Sequence, residues 1–217
     1  MVSTNTFFGA SMKNFAKYLP FFFFLFLAST ISVAQTPSTV TSKDELLKNL
    51  ENDGLKSGMT IWLRQPLRKY DGYSKISGLT KLTFIDADIA PEFKRIPSSK
   101  GQIVISVQDV KEEHTQLVLS TSTLYFPGNF GTVSGKIYTQ DPKKITSKWS
   151  KRTIKAIEEQ SVVSGMTAEQ IRTSWGSPNK INSSAGPWGK SEQWIYGDFP
   201  DSTYLYLENG KLTSWQN

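Results

Sequence analysis

Asn209-Gly210 sits between two runs that alternate apolar and polar residues, and so fixes the end of this chain as a β-hairpin. A type I′ turn needs positive φ at both central residues, and Asn-Gly accepts that most readily. The turn sets the register. Tyr204, Tyr206 and Glu208 fall on one face, and Thr203, Leu205 and Leu207 on the other. Two further strands are expected near 180–184 and 191–196. Before them, Thr167 and Gln170 form a capping box that opens a helix over Ala168–Trp175. Gly176 ends it in a left-handed position and Pro178 prevents its continuation. An earlier helix, capped by Ser147 or Ser150, runs to Glu159 and turns Trp149, Thr153, Ile154 and Ile157 inward.

From 59 to about 138 the pattern is β. The candidate strands are Thr60–Leu63, 79–89, 102–110, 116–122 and 130–138. They are rich in Val, Ile, Thr and aromatics and are separated by Gly, Pro, Lys and Asp. Such spacing predicts a small antiparallel barrel, SH3-like, or a curled antiparallel sheet. Ahead of it, Ser42 and Glu45 cap a helix over Lys43–Asn52 that buries Leu46, Leu47 and Leu50, with Asp53-Gly54 as its stop. Ser-Gly-Met-Thr occurs twice, at 57–60 and 164–167. A strand follows the first copy and a helix the second, so the repeat reads as coincidence.

The C-terminal motifs resemble the SmpA/OmlA (BamE-like) family. The residues concerned are Gly165-Met166-Thr167 with Gln170, Gly176 with Pro178, Trp194 in Glu192-Gln193-Trp194-Ile195-Tyr196, and Asn209-Gly210 within 205–212. The resemblance implies an α+β module of two helices and a three-stranded antiparallel sheet. It also implies protein binding through the sheet face and loops without catalysis, and a place in outer-membrane or cell-envelope assembly. Two departures stand out: this chain has no cysteine to carry a lipid anchor, and it has the additional β-rich region.

The N-terminus explains where such a protein would work. Lys13 and Lys17 precede the apolar run Leu19-Pro20-Phe21-Phe22-Phe23-Phe24-Leu25-Phe26-Leu27-Ala28, and Ser32-Val33-Ala34 follows it. That is the order of a secretory signal peptide, with cleavage after Ala34. The run falls short of the roughly 20 residues of a membrane span, so a retained anchor is the lesser alternative. Met12 would serve as a start as well as Met1. The expected organisation is a signal peptide at 1–34, a leader and short helix at 35–55, a β-rich domain at 56–142 and an α+β module at 146–217. The mature chain is expected in the periplasm or outside the cell.

Composition narrows the chemistry. With no cysteine, disulfides, thiolate catalysis and cysteine metal sites are excluded. The 25 Lys and Arg against 19 Asp and Glu are scattered, without a basic stripe, which argues against nucleic-acid binding. His114, the single histidine, sits in the polar turn 111–115 and reads as a solvent-exposed turn residue, since a hydrolytic triad would need a nucleophile and an orienting carboxylate to converge on it. Asp86 and Asp88 share a side if 79–89 is a strand, and a carboxylate-dependent hydrolase acting on extracellular polymer is the alternative they leave open. No pattern asks for a cofactor or a metal.

The aromatics are the stronger indication. Trp188, Tyr196, Tyr204 and Tyr206 are the candidate contacts for a protein partner in the envelope, because exposed Tyr and Trp anchor interfaces. A carbohydrate would use the same rings by stacking. Trp188 falls in 183–190, which reads as a mobile loop. N-terminal sequencing of the exported product is expected to begin at Gln35; a product beginning at Met1 or Met12 would show that the apolar run is retained.

Overall fold

The computed structural model describes residues 38–70, 74–90, 102–110, 113–120, 124–125, 133–198 and 200–217. The expected signal peptide lies outside them. The first helix, α1 (Lys43–Asn52), forms as its cap chemistry requires: the Ser42 hydroxyl accepts from the Glu45 N–H. The Glu45 carboxylate reaches one residue further back than a capping box would, to the N–H and hydroxyl of Thr41. Leu46 and Leu50 are buried and Leu47 is half-buried against them.

α1 packs on β5 (Lys81–Ala90), the centre of an antiparallel sheet. Its order is β7 (His114–Ser120), β6 (Gln102–Gln108), β5, β2 (Thr60–Leu63), β9 (Ile137–Tyr138). Short strands β1 (Ser38–Thr39) with β8 (Leu124–Tyr125), and β3 (Leu67–Arg68) with β4 (Lys75–Ile76), make two separate pairs. The chain leaving β2 crosses to the far edge, where Lys69 bridges Leu117 of β7 and Tyr70 donates to the Gln116 carbonyl. No ladder among the described residues joins β7 to β2 or β9, so the sheet remains open and the barrel alternative is corrected.

The strand expected at 130–138 is also corrected. Residues 133–138 form a single helical turn, α2 (Val133–Lys136), followed by β9; 130–132 lie outside the described residues. Ser134-Gly135-Lys136 supplies no alternating apolar face, whereas one turn of helix buries Val133 and Gly135.

After the short turn α3 (Lys143–Thr146) comes α4 (Lys151–Glu158), capped by Ser150. Its buried face is Thr153, Ala156 and Ile157, with Ile154 only half-buried. α5 (Ala168–Trp175) opens on a complete capping box: the Gln170 N–H donates to the Thr167 hydroxyl and the Thr167 N–H to Gln170 Oε1. The two helices cover one face of a sheet ordered β10 (Lys180–Gly186), β11 (Gly189–Tyr196), β12 (Thr203–Glu208), β13 (Lys211–Gln216). This sheet has four strands where the family resemblance implied three. Its core holds Trp194, Leu205, Leu207 and Leu212 beneath Ala156, Ile157, Met166 and Ile171. The architecture is mixed α+β, with two hydrophobic cores.

Both Ser-Gly-Met-Thr copies build the same turn. Gly58 and Gly165 have φ of 82° and 90°. Each glycine N–H donates to a strand carbonyl, of Phe84 or Leu212, and that same strand residue donates back to the carbonyl of Met59 or Met166. The expectation of coincidence is therefore corrected at the local level: two cores use one device to pass from a helix to a strand edge.

The halves meet at residues 77–80. The Ser77 hydroxyl donates to the Glu158 carbonyl, and Leu79 packs into the C-terminal core. Gly78 lies so close to α5 that a Cβ there would stand 2.0 Å from the Thr173 carbonyl oxygen. Gly78→Ala is expected to lower stability by about 1–3 kcal/mol, the usual cost of inserting atoms into closed packing. Urea unfolding measures it; an unchanged midpoint would show that the two halves are not tightly packed here.

Candidate partner-binding surface

Cross-strand register decides which side chains share a face. Ile181, Trp194, Leu205 and Trp215 form one row on the helix side. Lys180, Ile195, Tyr204 and Gln216 form the neighbouring row on the opposite side, and Asn182, Gln193, Tyr206 and Ser214 form the next row on that side. Leu205 and Leu207 are buried, so Tyr204 and Tyr206 stand on the uncovered face, as the alternation predicts. Both are half-buried, as are Ile195 and Gln193 between them and β10. The Asn182 amide donates to Gln193 Oε1 at 2.9 Å, and the Gln193 amide donates to the Tyr206 hydroxyl at 3.4 Å. The middle of this face thus carries rings, an aliphatic side chain and amides, with charge confined to its corners at Lys180, Glu208 and Lys211.

The other two candidates lie elsewhere. Tyr196 is two residues from Trp194 and shares the helix side. Its hydroxyl donates to the Gly176 carbonyl at 3.0 Å, and its ring meets Trp175 edge-on at 5.3 Å. Burial pushes its phenol well above the usual range, only partly opposed by the charge of Arg172. Trp188 occupies a tight turn and is 71% exposed. The expected mobile loop at 183–190 is corrected: β10 and β11 run in register down to Gly186 and Gly189, closed by Pro187-Trp188. Proline suits the second position of a tight turn, and Gly189 has φ 111°. The Trp188 indole lies over the α-carbon of Gly186, where a Cβ would stand 2.4 Å from the ring. Four residues of strand separate Gly189 from the Tyr206 row, roughly 13 Å at the strand rise. The structure therefore brings Tyr204 and Tyr206 together and leaves Trp188 and Tyr196 apart from them. Ile195, Gln193 and Asn182 complete the face; counting alternation outward from the Trp194 core position finds them.

The motif residues hold backbone and core. Gly165 and Met166 pair with Leu212, and Asn209 and Gly210 have φ of 50° and 77°. Gly176 is the C-cap of α5 at φ 86° and ψ −165°, a positive-φ conformation open essentially to glycine alone, with ψ outside the left-handed helical region expected. Pro178 follows it, half-buried. Trp194 is 1% exposed, its ring covered by the Arg172 guanidinium at 4.4 Å.

Asp86 and Asp88 do project to one side, but Lys43 of α1 pairs with both, closely with Asp86 and at 3.9 Å with Asp88. The hydrogen bond from Lys43 to Asp86, together with both negative charges, pushes the ammonium above its usual range. Each carboxylate also accepts the N–H of the next residue. His114 is exposed at the start of β7, opposite Gln108. Among the described residues no three His, Cys, Asp or Glu are grouped to hold a metal, and no helix is long and apolar enough to cross a membrane. A cleft of about 320 Å³ lies against Trp175 and Tyr196, with Lys75 and Asp201 at its rim. Its ring N–H and hydroxyl groups turn inward: Trp175 donates to the Gln160 carbonyl, Ser174 to the Ser161 carbonyl and Tyr196 to that of Gly176.

Fold and surface together define a mixed α+β protein with an antiparallel sheet face that no described residue covers. No protein-family model, characterised protein or solved structure matches the chain.

The raised Tyr196 phenol has a consequence for stability. The unfolded chain ionises this group near pH 10 while the folded one keeps its proton, so stability is full below about pH 10 and falls above it. Tyr196→Phe is expected to cost about 1 kcal/mol near neutral pH through the lost hydrogen bond. Its urea midpoint should then fall less steeply than wild type above pH 10. Parallel curves would show that Tyr196 ionises equally in both states.

Proposed function

We propose that this is an exported, non-catalytic protein of the bacterial cell envelope that binds a protein partner through its C-terminal α+β module. The observation that carries the reading is the open face of the four-stranded sheet. Tyr204, Tyr206 and Ile195 offer ring and aliphatic area without a charge among them, and Gln193 is already fixed by Asn182. Tyrosine suits such a role because it supplies large contact area and a polar tip while losing little conformational freedom. The motif residues shared with the SmpA/OmlA (BamE-like) family support the same reading, and so does the N-terminal leader. A place in outer-membrane or envelope assembly is the finer proposal. The lack of cysteine separates this chain from lipid-anchored members of that family.

Pull-down from envelope extracts is the test. Wild-type protein is expected to recover a stoichiometric partner. The double variant Tyr204→Ala, Tyr206→Ala should lose at least tenfold in capture, the cost of one or two interface anchors. Unchanged capture would refute the sheet-face assignment. Retention on purified peptidoglycan or polysaccharide that depends on the same tyrosines, with no protein recovered, would put carbohydrate in place of protein.

A further inference from the structure

The two edges of the C-terminal sheet are treated differently. At β13, residues 165–168 lie alongside: Gly165 N–H donates to the Leu212 carbonyl, Leu212 N–H to that of Met166, and Ala168 N–H to that of Gly210. The same strand is bent by a bulge facing Tyr206 and Leu207. At the other edge, β10 pairs with β11 alone and nothing described lies beyond it. Six of its seven residues are exposed. Its register runs from Lys180 to Gly186 without a bulge, and Lys180 is its single charged residue. Edge strands normally avoid pairing by means of charge, proline or a bulge, and the body of β10 has none of these.

We propose that β10 pairs antiparallel with β10 of a second copy of this chain, about a two-fold axis at Ser183, so that the two sheets become one. Directly opposed residues of an antiparallel pair point to the same face, so the axis must fall where a residue meets its own copy. Ser183 is the middle of the strand and gives the longest ladder. Ile181 of each copy then meets Ala185 of the other on the helix side, and Asn182 meets Ser184 on the open side. Lys180 meets Gly186, whose α-carbon lies under the Trp188 indole. Each ammonium thus approaches an aromatic ring instead of another cation. No like charges are opposed anywhere in the ladder. The pairing also accounts for Ile181 and Trp188, two exposed large apolar side chains that lie in this one hairpin. It is independent of the tyrosine face, which stays uncovered in the dimer.

Sedimentation equilibrium of the processed protein from cells expressing the full chain tests this. Wild type is expected at twice the monomer mass. Ser183→Lys and Ser183→Glu, each placing like charges across the axis, should halve that mass with unchanged far-UV circular dichroism. Mixing the two variants should restore the dimer. A second pair guards against a folding defect at Ser183: Asn182→Lys with Ser184→Lys should dissociate, while Asn182→Lys with Ser184→Glu should remain dimeric. A wild-type monomer at every concentration overturns the proposal. So do variants that stay dimeric, or a charge-complementary mixture that fails to reassociate.

Discussion

Leu79 belongs by backbone to one half of this protein and by side chain to the other, and both cores depend on how that is achieved. Its N–H donates to the Leu63 carbonyl and the Leu63 N–H to that of Thr80, so the chain here is tied to β2. Its side chain joins the cluster built on Trp194, Leu205 and Ile171. The backbone holds φ of 65°, which costs a leucine about 1–3 kcal/mol and persists only when neighbours enforce it. Here the neighbours do. Gly78 lets the turn approach Thr173 to within backbone contact, and Ser77 is held by Glu158 and Gln160. A strained leucine flanked by a glycine without space for a methyl group is a specific joint, not a flexible linker between domains. Arg64, the residue after β2, adds to it, pairing with Glu169 of α5 at 3.9 Å and stacking on Tyr138 at 5.3 Å.

The parts of this fold that were legible in the sequence are those decided within four residues. Ser42, Ser150 and Thr167 cap helices because a hydroxyl can reach an N–H three positions on, whatever lies elsewhere. Asn209-Gly210 turns because few other pairs accept positive φ twice. The Tyr204 and Tyr206 face followed from that turn. The failures arise where distant chain decides. A strand near 180–184 was legible, but Ala185 and Gly186 carry no alternation, and their place in β10 depends on the ladder that β11 offers. Composition groups Tyr196 with the other tyrosines, whereas its side of the sheet follows from Trp194 two residues earlier.

The repeated Ser-Gly-Met-Thr shows how a local rule and a global one can be confused. The elements that follow the two copies differ in kind, which counts against a duplicated domain. Yet each copy follows a helix closed by a positive-φ residue, Gly54 after α1 and Gln160 after α4. Each returns a methionine sulfur toward a backbone N–H, Met59 to Lys56 and Met166 to Val163. What is repeated is a way of leaving a helix and meeting a strand edge. Glycine supplies the conformation, and the methionine after it is buried in the C-terminal core at Met166 but only half-buried at Met59.

Binding and catalysis leave different marks on polar groups, and that contrast bears on how this surface works. A catalytic carboxylate pair needs proton affinities pushed apart by unlike surroundings. Asp86 and Asp88 share one cation on exposed surface, with the next N–H bonded to each, an arrangement that ties α1 to β5. The cleft beside Trp175 likewise spends its donors on backbone carbonyls. On the uncovered sheet face the order is reversed. Asn182, Gln193 and Tyr206 bond one another in a line across three strands, and the chain retains the amide and hydroxyl capacity that the line leaves over. A face whose side chains are already oriented by their neighbours loses less freedom when a partner arrives, so more of its contact energy remains as affinity.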